Sequence, residues 1–177
     1  MIRASAIGGA VCATLLVTCA AFAQVPADPN NPNEAVPEKH NYMPYGEPIS
    51  LNQAKKVADA ALAEAAKRGW AMCIAVVGPS GDLVYFEKMD NCQYASIQIA
   101  QHKARASARY RVPTVAFERR MAQGPYNAYL PTLDDFIGSR GGNPIVVGGK
   151  VIGAIGVSGA SGSQDDTISQ AGAKAAQ

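Results

Sequence analysis

A glycine pair near the C-terminal end constrains this chain more than any other feature. Residues 141–166 read GGNPIVVGGKVIGAIGVSGASGSQDD, with apolar runs at 144–147 and 151–157 on either side of Gly148-Gly149 and Lys150. Adjacent glycines between two such runs supply the positive φ angles of a tight hairpin turn, so this part of the chain is an antiparallel ribbon. The second run contains Gly153 and Gly156. Glycine weakens a strand unless another element packs close against its backbone, which predicts a tight contact there. The run opens into Ser158-Gly159-Ala160-Ser161-Gly162, and Ser163 or Asp165 then stands where it can cap a last helix through Gln170. Two readings follow. The stretch is a sheet-edge hairpin with a loose exit, or it is a pocket wall whose main-chain N–H groups hold an anion or a carbonyl oxygen. It is not a phosphate loop of the GxxxxGK[ST] kind, because no Lys-Ser/Thr follows the glycines.

The segments before it alternate between helix and hairpin. Ser50 and Gln53 form a capping-box pattern, and Leu51, Ala54, Val57/Ala58, Ala61/Leu62 and Ala65 make one apolar stripe that Gly69 ends. Residues 72–77 and 83–88 are apolar runs around Gly78-Pro79-Ser80-Gly81, which predicts a first hairpin. A helix is predicted over 94–110, and a second, opened by Pro113 and Thr114, runs through Met121. Residues 123–140 are irregular, with Tyr126, Tyr129, Asp134, Asp135 and Phe136. Two hairpins with helices between them predict an α+β domain built on one antiparallel sheet.

The helix over 94–110 carries most of the reactive side chains. Ala100, Ala104 and Ala108 recur every four residues and give a smooth face for packing on the sheet. Gln98, His102, Arg105 and Arg109 follow a second stripe, which is either a solvated basic face or an anion site. His102 can carry a proton or bind a metal near neutral pH. Lys103 lies off that stripe, beside Ile99 and Ser107. The glycine-rich strand ends at Gly141-Gly142 and Ser158-Gly159 are neighbours in an antiparallel hairpin, so Lys103 can join them if its helix packs through the alanines.

The N-terminal part has the pattern of an export signal. Met1-Ile2-Arg3 gives a positive start, an apolar run begins at residue 6, and Ala21-Phe22-Ala23 matches an A-x-A cleavage site before Gln24. A lipoprotein reading at Cys19 fits poorly, because Thr18 precedes the cysteine. The expected organisation is a signal at 1–23, an extended Pro/Asn-rich arm at 24–48 and one domain at 49–177. The expected location is periplasmic or secreted. No later segment is long and apolar enough to span a bilayer. The whole chain has 16 basic and 14 acidic residues, which argues against general nucleic-acid binding. Cleavage removes Cys12 and Cys19, leaving Cys73 and Cys92 either bridged or as separate thiols. His40, Tyr42, Met43 and Tyr45 lie on the arm, which docks on its own domain or wraps a neighbouring subunit.

Three segments in order, LNQAKKVADAALAEA, SIQIAQHKARASA and GGNPIVVGGKVIGAIGVSGASGSQDD, resemble the GlcG/HbpS family of haem-binding or haem-degrading domain proteins. The family includes the C-terminal domain of PduO-type proteins. The resemblance spans roughly Ile49 to the C-terminus. It implies a profilin-like sandwich, with an antiparallel sheet of about five strands packed with helices, that assembles into homo-oligomers, often octamers. Lys103 matches a recurrent lysine of the family's KARASA-type segment. The tyrosine-rich, acidic loop at 123–140 departs from the family's compact Leu/Pro/Gly loop.

The leading functional expectation is an exported protein that binds haem or a related small ligand non-covalently, since no CxxCH is present. Its propionates would meet Arg105, Arg109 or Lys103, and His102 or His40 are the candidate axial ligands. Tyr126, Tyr129, Gly141, Gly142, Ser158, Gly159 and Asp165 complete the candidate ligand-binding set. The alternative is a cofactor-independent lyase, hydratase or isomerase. There Lys103, His102, a tyrosine or Asp165 would move protons, and the glycine-rich N–H groups would hold an oxyanion. A third reading is a non-catalytic sensor or scavenger.

Overall fold

The computed structural model describes residues 42–177, except the side chain of Tyr126. The signal pattern at 1–23, most of the arm and His40 lie outside the described residues. Helix α1 (Leu51–Arg68) starts at the expected Ser50/Gln53 capping box and stops at Gly69, whose φ of 68° is left-handed. Its buried stripe is Ala54, Val57, Ala58, Ala61 and Ala65. Strands β1 (Cys73–Val77) and β2 (Leu83–Lys88) form the first hairpin, and β3 (Gly142–Val147) and β4 (Lys150–Ser158) the second. Gly148 and Gly149, at φ 55° and 74°, make the turn that a Gly-Gly pair allows.

The two hairpins join through their inner strands. The sheet order is β2-β1-β4-β3 and every pairing is antiparallel, with Cys73 opposite Ser158 and Gly142 opposite Gly156. The sheet therefore has four strands. Beyond the end of β1, residues 44–49 run along the freed side of β4: Gly46 N–H donates to Val151 O, Val151 N–H to Pro44 O and Ile49 N–H to Ile152 O. Tyr45 makes a parallel bridge to Val151 there. This strap (residues 42–49) is the described end of the arm, docked on its own domain.

Helices cover both faces. Val57, Ala61, Ile74, Val76, Ile155 and Ile168 belong to the core between the sheet and the pair α1 and α4 (Gly162–Lys174). On the other face, Ala100, Ala104 and Ala108 of α2 (Ala95–Tyr110) pack on Cys73, Ala75, Val77 and Ala154. The approach is as close as the glycines predict. A Cβ on Gly156 would lie 2.1 Å from Ala100 O and 2.4 Å from Ala104 N, so only glycine admits the helix backbone there. Cys73 and Cys92 form a disulfide, with Cα atoms 6.1 Å apart, tying β1 to the loop before α2.

Two expectations need correction. The cap of α4 is Ser161, not Ser163 or Asp165, and the helix continues past Gln170 to Lys174. Ser161 and Gln164 repeat the capping box of α1, and Asp165 is drawn inward instead. The segment after α3 (Val115–Met121) is not wholly irregular, since Pro125–Thr132 forms a 3-10 helix. Phe136 beyond it rests on Phe117 of α3, with ring centroids 5.1 Å apart.

Candidate functional site

Helix α2 delivers its cations to two different places. Lys103 points under the sheet end. It is 1% exposed, and its ammonium donates to Asp165 Oδ2 at 2.7 Å and to Val157 O at 3.1 Å. The other oxygen of Asp165 accepts Ala160 N–H at 3.1 Å. Burial pushes the Asp165 carboxyl up, while Lys103 and the N–H groups of Ala160 and Gly159 pull it down. Gly141 completes this corner at φ 113°, and a Cβ there would stand 3.1 Å from the Lys103 ammonium and 2.8 Å from Asp165 Cβ. Lys103, Gly141 and Asp165 thus meet in space, beside Gly142 and the Ser158-Gly159 exit.

Their polar groups are already engaged with one another. Gly142 N–H donates to Thr114 Oγ1, Ser158 Oγ to Ser96 Oγ, and Ala160 N–H to Asp165. Two of the N–H groups that the sequence offered to an oxyanion, those of Gly142 and Gly159, therefore have acceptors within the fold. What the corner does is lock three elements together: α2, the end of β4 and the start of α4.

The second place is open. A groove of about 660 Å³ lies between the strap, the turn of the first hairpin and the C-terminal end of α2. Tyr45, Pro48, Pro79 and Val84 give it apolar walls, and Arg109 and Asp82 give it charge. Tyr45 is fixed by its hydroxyl, which donates to Ala108 O and Arg109 O, two carbonyls of the last turn of α2. Arg111 steadies the strap from behind. Its guanidinium carbon lies 4.4 Å from the Tyr42 ring centroid and 4.9 Å from that of Tyr45, and it donates to Met43 O.

Arg105 and Arg109 flank the turn. Arg109 Nε donates to Ser80 O at 2.7 Å, and both guanidinium groups reach the carboxylate of Asp135: Arg105 through Nε at 3.1 Å, Arg109 through Nη1. Ser80 Oγ in turn donates to Asp82. A smaller groove of about 260 Å³ lies beside β3 and α4, with Met43, Pro113, Asn143, Pro144 and Gln170 in its wall.

Of the sequence candidates, Arg109 alone lines the larger groove, and Arg105 joins it through Asp135. His102 is half-buried on α2 and lines neither groove. Tyr129 is half-exposed on the 3-10 helix, also away from both linings. The Tyr126 side chain lies outside the described residues. Among the described residues, no three His, Cys, Asp or Glu side chains are grouped as metal ligands. Sequence reasoning missed Tyr45, Pro48, Pro79 and Asp82 as groove lining. The aromatic arm and the Pro/Gly turn were both visible, but nothing in the chain order joins them.

The family model for HbpS-like haem-degrading proteins matches residues 49–174. The chain belongs to that family. It is 35% identical to protein GlcG of Escherichia coli (strain K12) over 110 residues, which are 62% of this chain and 81% of GlcG. A double mutant of Streptomyces reticuli HbpS has the same fold, with a TM-score of 0.67 at 28% identity over 80% of this chain and 97% of that one. PduOC, solved as a complex with heme, superimposes at a TM-score of 0.65 and 21% identity, over 72% of this chain and 94% of that one, a likeness of fold. No described helix of this HbpS-like chain is long and apolar enough to cross a membrane.

Proposed function

We propose that this HbpS-like protein binds haem, or a related planar ligand bearing carboxylates, non-covalently in the groove between the strap and the first hairpin. The observation that carries the reading is the groove's composition: Tyr45, Pro48, Pro79 and Val84 on its walls and one guanidinium, Arg109, at its edge. A flat apolar body loses water against such walls, and a carboxylate gains a charge-assisted hydrogen bond from the arginine. The family description and the heme complex of PduOC support the same ligand class. These residues fit the macrocycle and its propionates. They do not supply a ready axial ligand, because the Tyr45 hydroxyl is spent as a donor to two helix carbonyls. When bound, haem would supply redox-active iron.

The test is a haemin titration followed at the Soret band. The expected result is saturation at a fixed stoichiometry, weakened about tenfold by Arg109→Gln, which removes a charge-assisted contact. His102→Ala should leave the spectrum unchanged. A Soret change that never saturates would sink the reading, and a changed spectrum in the His102 variant would move the ligand to that side of α2.

We also infer export and self-association. Arg3, the apolar run after it and Ala21-Phe22-Ala23 support cleavage before Gln24, and the Cys73–Cys92 bridge suits an oxidising compartment. Mass spectrometry showing Met1 retained, or a lipid on Cys19, would reject the cleavage. Exposed Tyr42, Tyr45, Leu83, Tyr94 and Val147 support a homo-oligomer, with an octamer as the expected form. Light scattering on the purified protein decides the subunit number.

A further inference from the structure

The loop after the 3-10 helix carries Asp135, whose carboxylate holds the guanidinium groups that an anionic ligand at the groove would use. Asp135 has a φ of 60°, in the left-handed region that few side chains other than Asn and Asp adopt readily. That conformation brings its two oxygens to two different arginines of one helix face, Oδ1 to Arg105 and Oδ2 to Arg109. The Asp135 side chain is 16% exposed, while Arg105 and Arg109 are 38% and 47% exposed. The carboxylate is thus tucked beneath two guanidinium groups whose outer N–H groups face water. Asp82 at the groove supplies a second negative charge. Arg105 and Arg109 thus face two of the chain's own acids, Asp135 and Asp82.

We propose that Asp135 is a built-in competitor for the ligand's carboxylate, and that it sets the selectivity of the groove for acids over their neutral analogues. The proposal rests on the groove reading above. A carboxylate arriving at Arg109 meets a guanidinium already engaged by Asp135 and by Ser80 O. It must share that cation or displace the aspartate. Either route costs affinity, and the cost applies only to a ligand that carries negative charge. A ligand without a carboxylate uses the apolar walls and is indifferent to Asp135. Half-exposed pairs of this kind exchange partners readily because water and salt screen them. Asp135 therefore holds the arginines in place when the groove is empty and limits how tightly a single acid binds.

The deciding variant is Asp135→Asn, which keeps the shape and tolerates the left-handed backbone while removing the charge. Circular dichroism checks that the fold is kept. Haemin and its dimethyl ester are the probes, with sodium benzoate and benzamide as a second pair read by chemical-shift titration. Asp135→Asn should tighten the acid of each pair about tenfold, the worth of one charge-assisted contact, and leave the ester and the amide unchanged. Equal changes for acid and neutral probe would overturn the proposal, as would weaker binding of the acid. If the unmodified protein fails to bind haemin saturably, the haem reading falls, and the benzoate pair still decides whether Asp135 competes for the arginines.

Discussion

Helix α2 makes ion pairs of two opposite characters within two turns. At one end of the sheet, Lys103 and Asp165 are 1% and 3% exposed, and the ammonium and carboxylate meet each other and main-chain groups. At the other, Arg105 and Arg109 share Asp135 while standing more than a third exposed. The first pair has no water to replace a missing partner, so it acts as a structural lock. The second is screened and exchangeable, so a ligand can compete for it. A glycine lies against the cations at both places in space, Gly141 at the first and Gly81 at the second. Burial separates the lock from the binding edge.

The sharpest way to break the comparison is Lys103→Met. It leaves Asp165 buried without its cation and should destabilise the fold by about 3–5 kcal/mol. Adding Asp165→Leu should recover most of that loss. Chemical denaturation of both variants checks it, and a single variant as stable as the parent would make the corner as exchangeable as the groove. Next in size is the disulfide, which ties β1 beside the same corner. Replacing Cys73 and Cys92 by Ser opens a loop with a sequence separation of 19 and should cost about 3 kcal/mol. Thermal unfolding with and without reductant measures it: reductant should lower the parent's Tm and leave the variant's unchanged.

At the open end the effects shrink. Tyr45→Phe removes the hydroxyl that satisfies Ala108 O and Arg109 O and should cost about 1 kcal/mol of stability. A loss several times larger, seen in urea midpoints, would show that the strap is as rigid as the corner. The smallest effect is expected back beside the buried corner, on its exposed side, at Glu118 and Arg140, both about a third exposed. Hydrogen bonds from Arg140 hold the Glu118 carboxyl below the usual carboxylate range. A depressed carboxyl stabilises the fold above its unfolded pKa, and that contribution is lost as pH falls through the lowered folded value. Glu118→Gln should therefore cost less than about 1 kcal/mol near neutrality and nothing in acid, by urea unfolding at the two pH values.

Much of the architecture was legible because its signals are local. Ser50 with Gln53 starts α1 and Gly69 ends it, Gly148-Gly149 turns the second hairpin, and Ala100, Ala104 and Ala108 mark the face of α2 that meets Gly156. Ser161 with Gln164 is an equally local signal, and it, not Ser163 or Asp165, caps α4. The site was legible only in pieces. Lys103, Gly141 and Asp165 stand out by type and meet in space, but a charged side chain in a sequence does not reveal whether its partner is solvent, ligand or another part of the chain.

The sequence by itself determined the element order, both hairpins, the glycine-limited contact between α2 and β4, and membership of the HbpS-like family. These follow from backbone freedom, side-chain volume and apolar period, all of which act over a few residues. The tertiary structure alone decided that β1 and β4 join the hairpins, that Lys103 is spent on Asp165, and that Tyr45 closes a groove against the turn at 78–82. Those outcomes depend on which distant groups lose their water together. Desolvation is a property of the packed arrangement, and no single stretch of the chain encodes it.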